Sequence, residues 1–385
     1  MLSTKVCIIG SGPAGSTASL YLSKLQIPHI LIERKQFPRD KVCGDCFDGR
    51  VINLLNDIDE SILPEMYTTE IIQDIRLHSY FNSKKDFFSV QIPETQKPRI
   101  STRRSEFDLY LQNLAKSKLF CSFIENENVL NIERKNNLAY VQTNLQTVEA
   151  SIVMIAAGAN SPLISKLFTQ NINGGHFTLA ARAYFKNVKS DFSQSSLRVH
   201  LIKKPVESYL YFVDLPKGLT NVELFILKKE ALKNNINPER LLQELIFHPP
   251  FKEYFTNAVQ LFDTETTSIG KSFSVTNISE DNVLLIGASA VSVNPLSGLG
   301  VGEAMLTAKL AVEQFERCLH ANDFSKTLLK EYDTKVFTAL KKDKTLGTQA
   351  DFTVAHLLKM YDVLLGFFGR NKWLEKVIGK ALNKI

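Results

Sequence analysis

Near the start of the chain, Gly10-Ser11-Gly12-Pro13-Ala14-Gly15 has the spacing G-x-G-x-x-G. In such a turn Gly10 permits the tight reversal, Gly12 lets an anionic diphosphate approach the backbone, and Gly15 allows close helix–strand packing. Pro13 and Ala14 open the helix, whose free amides and positive end face phosphate. Glu33 lies 18 positions beyond Gly15 and closes a second apolar run. A carboxylate there accepts hydrogen bonds from ribose hydroxyls and repels a 2′-phosphate, which disfavours NADP at this turn. Arg34 follows it and is counted with the cofactor-binding residues. A second glycine group comes late: Gly287-Ala288-Ser289-Ala290, then Asn294-Pro295-Leu296-Ser297-Gly298-Leu299-Gly300. Pro295 fixes the backbone, and Gly298, Gly300 and Gly302 let peptide groups lie against a flat ring or a phosphate. A loop that serves only sheet–helix packing is the plain alternative.

These residues need elements to hold them. Val6 to Ile9 form a buried apolar run, a helix follows from about Pro13 to Gln26, and Ile30 to Ile32 form a second short strand, a βαβ unit. The glycine pattern therefore sits between strand and helix, the context that gives it meaning. A helix is expected from about Ser105, with Phe107, Leu111 and Leu114 on one side. Ile152 to Ala156 read as a strand ending in the turn Gly158-Ala159-Asn160-Ser161. From Phe177 to about Leu261, runs such as Leu197 to Ile202, Tyr209 to Leu215 and Asn221 to Leu227 suit an antiparallel sheet. Val283 to Ile286 form another buried strand, and a helix is expected from about Gly302 to Leu319.

Hydrophobic residues make up 44% and charged residues 22% of the 385, ordinary for a globular protein large enough for two domains. The net charge of +6 suits acidic ligands or an anionic membrane surface. No zinc-finger spacing or long basic block points to nucleic acid. Five cysteines, an odd number in a long chain, argue against a disulfide framework. The first strand begins too early for a signal peptide, and no apolar stretch of about 18 residues offers a membrane span. A cytoplasmic protein is the expectation.

Further segments resemble a known family. Phe37-Pro38-Arg39-Asp40-Lys41-Val42-Cys43-Gly44-Asp45 looks like the segment after the second strand in geranylgeranyl reductases, within the larger group of flavoproteins with the para-hydroxybenzoate hydroxylase fold. Arg104-Ser105-Glu106-Phe107-Asp108 resembles that group's R-x-x-F-D helix start. Ala156-Ala157-Gly158-Ala159-Asn160-Ser161 resembles its A-D-G-x-x-S turn. Gly287 to Ala290 and Asn294 to Gly300 resemble its second FAD motif, G-D-A-A…P-x-x-G-x-G. The resemblance spans residues 4–320 and implies FAD as cofactor, with Arg104, Ala157, Gly158 and Ala288 among the residues that hold it. It also implies an α/β architecture: a Rossmann-like FAD-binding domain interrupted by an antiparallel-sheet substrate domain, with C-terminal helices. The expected boundaries place FAD-binding parts at 1–75, 101–176 and 271–320, substrate-sheet parts at 76–100 and 177–270, and the closing helices at 321–385. Ala157 and Ala288 depart from the pattern, standing where the family has Asp. Losing a charge-assisted hydrogen bond costs about 1.5–3 kcal/mol, a ten- to hundredfold loss of affinity.

Cys43-Gly44-Asp45-Cys46 has C-x-x-C spacing. A zinc site needs two more ligands, which no second pair supplies, so no metal is expected. A thioredoxin-like redox pair needs that fold's context. The resemblance puts Cys43 and Gly44 beside the flavin ring, with Cys43 the candidate catalytic residue; a small buried residue at a turn is the alternative. Tyr211-Phe212-Val213-Asp214-Leu215-Pro216 is similar to the reductases' Y-x-W-x-F-P substrate strand, and Asn221-Val222 to its following Asn-Val step. Tyr211, Val213, Leu215 and Pro216 are thus candidate substrate residues, and smaller side chains at 213 and 215 make room for a differently shaped ligand. Halogenases of this architecture carry W-x-W-x-I-P, whereas the single tryptophan here is Trp373.

The C-terminal segment carries apolar stripes at helical spacing, and Lys372, Lys376, Lys380 and Lys384 repeat every fourth residue. A basic amphipathic helix lies in a membrane interface or caps a domain with its apolar face buried. Peripheral contact with the inner face of a membrane is therefore one expectation. The leading functional expectation is an FAD-dependent oxidoreductase that reduces or desaturates a hydrophobic isoprenoid, polyene or lipid-like substrate by hydride transfer with flavin N5. FAD-dependent monooxygenation of an aromatic or lipidic substrate is the second, and a flavin-free hydrophobic-ligand carrier the third. Only one dinucleotide fingerprint is present, so NAD(P)H, if it is the electron donor, binds transiently elsewhere.

Overall fold

The computed structural model describes residues 1–66, 69–80, 87–92, 99–168, 177–190, 194–202, 204–249, 251–270, 277–291 and 300–340. The chain opens with β1 (Leu2–Ile9), α1 (Pro13–Lys24) and β2 (His29–Glu33). Next come β3 (Cys46–Phe47), α2 (Gly49–Ile58), α3 (Ile62–Glu65), β4 (Glu70–Ile72), β5 (Asp74–Tyr80), β6 (Phe87–Ile92) and β7 (Arg99–Ser101). α4 (Arg104–Lys116) leads to β8 (Cys121–Glu125), β9 (Val129–Lys135), β10 (Leu138–Thr143), β11 (Thr147–Ile155) and α5 (Pro162–Leu167). β12 (Phe177–Lys186), β13 (Ser196–Ile202), β14 (Ser208–Leu215) and β15 (Leu219–Leu227) precede α6 (Lys228–Lys233) and α7 (Pro238–Phe247). β16 (Val259–Gln260), β17 (Glu265–Gly270), β18 (Ser279–Glu280), β19 (Val283–Leu285) and α8 (Val301–Ala321) follow.

The first sheet runs β18-β19-β11-β1-β2-β8, with β10 and then β9 added beside β11. Its central strands are parallel: Val6 pairs with Ile152 and with His29, and Val153 with Val283. Parallel strands are covered on both faces, which explains why Val6–Ile9 and Val283–Ile286 are continuous apolar runs, all buried. α1 packs against α4 and α8 over this sheet. Its buried flank is made of small residues, Ala14, Gly15 and Ala18 among them, so helix and strand approach closely.

The second sheet runs β16-β12-β15-β14-β13-β5-β6, with β17 on β12. It is antiparallel except where β13 lies parallel to β5. α7 covers one face through Leu241, Leu242, Leu245 and Ile246. A third, small sheet, β3-β7-β4, packs through Phe47 and Ile100 into the core of the first sheet and through Cys46 and Ile72 against residues of the second. The C-terminal lysine helix, Trp373 and the apolar stripes beside it lie outside the described residues. Among the described residues no helix is long and apolar enough to cross a membrane.

Candidate active site

Between β1 and α1, Gly10 has a φ of +98°, and a Cβ there would lie 2.7 Å from the Ala156 carbonyl oxygen. At Gly15 a Cβ would lie 1.8 Å from the Gly10 carbonyl oxygen. Both obstacles are backbone, so neither site admits a side chain. Gly12 precedes α1, which has Pro13 in its first turn and no side-chain cap, so its leading amides are left for an anion. The nearest atom to a Cβ at Gly12 is Arg39 Nη2, at 3.2 Å. Arg39 also lies 4.6 Å from the centre of the Phe37 ring and 3.5 Å from the Asp108 carboxylate. A cation thus stands beside the glycine that leaves the backbone bare.

Glu33 is buried at the end of β2. Its Oε2 accepts from the Ser11 amide at 2.8 Å and the Ser11 hydroxyl at 3.0 Å, and its Oε1 from the Lys35 amide at 2.9 Å. A carboxylate has about four acceptor positions, so one remains for a ribose hydroxyl. Gln112 on α4 donates to the Ser11 hydroxyl at 2.7 Å, which ties α4 to the turn. Arg34 is exposed at the strand's end.

Two other turns meet this one. Gly158, after β11, has a φ of +86°, and Gly287, after β19, one of +63°. A Cβ on Gly287 would lie 2.6 Å from Ala14 Cβ. The Gly287 amide donates to Thr307 Oγ1 at 2.7 Å, and Ser289 Oγ donates to the Gly158 carbonyl at 3.2 Å. The first motif, the Ala157-Gly158 turn and the start of the second motif therefore converge on the N-terminus of α1. Ala157 and Ala288 are half-buried there and offer only methyl groups. Pro295, Gly298 and Leu299 lie outside the described residues; Gly300 precedes α8.

The Cys43–Asp45 segment is held by three elements, α4, β12 and β15. Arg104, buried at the start of α4, binds Asp108 through two hydrogen bonds of 2.9 Å and also bonds the Cys43 side chain. Burial opposes the Arg104 charge, but the Asp108 carboxylate outweighs it. Asp45 Oδ1 accepts from the Arg104 amide at 3.0 Å. Its Oδ2 accepts from the Tyr184 hydroxyl at 2.6 Å and Asn221 Nδ2 at 2.9 Å. Asn221 Nδ2 also donates to the Cys43 carbonyl at 2.7 Å. Burial pushes Asp45 up to about 6 in spite of these donors and of Arg182 nearby. Burial also raises the Cys43 thiol, which keeps it protonated near neutrality. No disulfide joins Cys43 to Cys46; Cys46 is buried in β3, its thiol pushed up to about 11 by burial. Among the described residues no group of His, Cys, Asp and Glu could hold a metal ion.

One face of the second sheet meets this segment in rows of directly paired residues. The first row is Leu197, Val213, Asn221 and Tyr184; the next is Val199, Tyr211, Glu223 and Arg182; the third is Leu201, Tyr209, Phe225 and Ala180. Val213 and Leu215 are fully buried in an apolar cluster with Cys46, Ile72, Leu197 and Tyr184. Tyr211 is half-buried, its ring 5.0 Å from that of Phe225. Pro216 lies in the turn after β14. The four residues thus divide: Tyr211 is half-buried on the sheet face, Val213 and Leu215 are packed in the apolar cluster, and Pro216 lies in the turn beyond them. Among the described residues, neither carboxylate oxygen of Glu223 accepts a hydrogen bond, although the residue is 1% exposed. Burial, with Asp45 adding to it against Arg182, pushes Glu223 up to about 8.

Arg39, Asp45, Tyr184 and Glu223 carry much of this geometry and were not singled out by sequence reasoning. Arg39 and Asp45 stood inside the segment that resembles the reductases; Glu223 gave one sign, an acid flanked by Val222 and Leu224.

The family described as FAD binding domain matches residues 3–337. The chain belongs to that family. It is 23% identical over 336 residues to a 1H-pyrrole-2-carbonyl-(peptidyl-carrier protein) brominase of Pseudoalteromonas luteoviolacea, covering 83% of this chain and 79% of that protein. It is 22% identical to a digeranylgeranylglycerophospholipid reductase of Thermoplasma volcanium, covering 86% and 82%. The crystal structure of a geranylgeranyl bacteriochlorophyll reductase-like protein of Thermoplasma acidophilum superposes with a TM-score of 0.76 at 19% identity, covering 92% and 88%. The turn fits the FAD diphosphate: Gly10 and Gly15 let strand and helix close on each other, and the uncapped N-terminus of α1 at Gly12, with Arg39 beside it, presents amides and a cation to an anion. The resemblance drawn from the sequence motifs and the mixed α/β fold agree with these findings.

Proposed function

We propose that this protein is an FAD-dependent oxidoreductase that reduces or desaturates a hydrophobic substrate of isoprenoid, polyene or lipid-like character. The observation that carries this reading is the sheet face beside Cys43–Asp45: an apolar row of Leu201, Tyr209, Phe225 and Ala180, and a half-open row bearing Val199 and Tyr211. Gly10, Gly12, Ala14, Gly15, Glu33 and Arg39 would hold the adenosine diphosphate part of FAD, with Gly158, Gly287 and the start of α8 toward its other end. FAD bound there supplies hydride chemistry at N5 of its ring. The chain's own residues bind the apolar chain along Tyr211 and Phe225, exclude water through the packed end at Val213 and Leu215, and keep the Cys43 thiol protonated. Similarity to a lipid reductase supports reduction, and Tyr211 and Val213 stand where the halogenase signature has tryptophan. NAD(P)H or an external carrier supplies the electrons, and the apolar substrate is met at a membrane surface.

The test is anaerobic. FAD-loaded protein is reduced with dithionite and mixed with geranylgeraniol in detergent micelles. Return of the oxidised flavin spectrum, with a product two hydrogens heavier, is the expected result. A product that instead gains oxygen, in air and with NAD(P)H, would make the protein a hydroxylase.

A further inference from the structure

We infer that Glu223 is the acid that gives the substrate its proton as hydride is added, a role that rests on the reductase reading above. Four features of the geometry carry this. Glu223 shares its row with Tyr211, the half-open residue of the proposed substrate face. Its Oε2 would lie only 3.3 Å from a Cβ at Gly44, so the carboxyl is aimed at the Cys43–Asp45 segment at the one residue there without a side chain. Both oxygens are buried and accept no hydrogen bond among the described residues. Arg182, directly opposite on β12, does not neutralise it: the guanidinium binds Asp40 at 2.9 Å, the Tyr184 hydroxyl at 3.1 Å, and Glu265. A structural ion pair would have used that cation.

The groups that face Glu223 from each packed element set its charge. They are Arg182 and Tyr184 on β12, Tyr211 on β14, Asn221 on its own strand, and Cys43 and Asp45 in the segment above. An unpaired buried carboxyl is costly as an anion and is therefore kept as the acid near neutrality. In the step, hydride from the reduced cofactor forms a C–H bond at one alkene carbon while the π bond breaks. The electron pair passes to the neighbouring carbon, which takes the proton as the Glu223 O–H bond breaks. The alkene gains two electrons, the cofactor loses two, and Glu223 is left as a carboxylate beside Arg182 until a solvent proton restores it.

The experiment compares FAD-loaded wild type, Glu223→Gln and Glu223→Asp. Infrared difference spectra across a pH titration read the protonated carboxyl directly, without turnover. A carbonyl band of the protonated acid that fades near pH 8 in wild type and is absent from Glu223→Gln is expected. Glu223→Gln is expected to bind FAD and accept electrons from dithionite as wild type does. Its anaerobic reduction of geranylgeraniol should be slower by about a hundredfold or more, the usual contribution of a general acid. Its rate should be flat with pH where the wild-type rate falls above about 8, and Glu223→Asp should recover part of the rate. A wild type without the carboxyl band overturns the proposal. Equal turnover by wild type and Glu223→Gln, with the same pH profile, overturns it and leaves the reductase reading standing. Failure of reduced wild type to consume geranylgeraniol sinks the reductase reading and the proton donor together.

Discussion

Arg182 and Glu223 stand directly opposite each other on β12 and β15, both almost wholly buried, and no hydrogen bond joins them. Their separation has a thermodynamic signature. The folded protein holds the Glu223 proton up to about pH 8, whereas the ordinary value is 4.5. The stability linked to that proton is complete below about pH 4.5 and is lost as pH rises through about 8. Glu223→Gln removes the dependence. At pH 9 the variant should exceed wild type by a few kcal/mol in urea unfolding, since a tenfold change in proton affinity is worth about 1.4 kcal/mol. A variant less stable than wild type at pH 9 would mean that the carboxylate is paired after all.

Tyr184→Phe removes the hydroxyl that donates to Asp45 at 2.6 Å. That bond holds Asp45 down, so its loss should raise the Asp45 carboxyl further above about 6. Losing a bond to a buried charged group costs about 1–3 kcal/mol. Denaturation at pH 7.5 should show that cost, and at pH 5, where Asp45 is protonated in both proteins, the gap should narrow. An equal gap at the two pH values would assign the loss to packing.

Two glycines of the first turn should separate folding from cofactor binding. Gly15→Ala drives a methyl into the Gly10 carbonyl, which lies 1.8 Å away, and should lower the melting temperature sharply even without FAD. Gly12→Ala meets only the end of the Arg39 side chain, at 3.2 Å, and should fold normally. Its methyl stands where phosphate must approach, so calorimetric titration with FAD should show the loss there. Normal FAD affinity in Gly12→Ala would move the diphosphate elsewhere.

Ala288→Asp restores the carboxylate of the second motif at a half-buried position. A charge-assisted hydrogen bond of about 1.5–3 kcal/mol should tighten FAD about ten- to hundredfold, read by flavin fluorescence quenching on titration of the apoprotein. Unchanged affinity would show that the ribityl hydroxyls lie away from residue 288.

The nucleotide-binding half was legible because its signals are local. The G-x-G-x-x-G turn, the runs at Val6–Ile9 and Val283–Ile286, and the helices beginning near Pro13, Arg104 and Val301 each follow from a few neighbouring residues. The acidic cluster was not. Glu223 between Val222 and Leu224 reads as the wet side of a half-buried strand, and the segment bearing Gly44, which lies against it, is far upstream in the chain. The β9–β10 hairpin was also missed, although its sign was present: Asn136 and Asn137 take φ of 54° and 61°, the left-handed pair that a two-residue hairpin loop needs. The strand β5 was not picked out individually, although residues 76–100 were expected in the substrate sheet; it pairs with nearby β6 and, in parallel, with β13 more than a hundred residues ahead.

The order of strands in the first sheet also bears on synthesis. β11 pairs on one side with β1; on the other, Thr147–Ala150 pair with β10 and Val153–Ile155 with β19, which ends at Leu285. On the ribosome, β1, β2, β8, β10 and β11 emerge early, but the Val153–Ile155 end of β11 lacks its partner until the whole second sheet has been made. For that interval a short, apolar stretch of strand edge is exposed, the kind of surface that recruits chaperones or aggregates. Expression at low temperature, or with a holdase supplied, should therefore improve yield more than mutations in either finished domain.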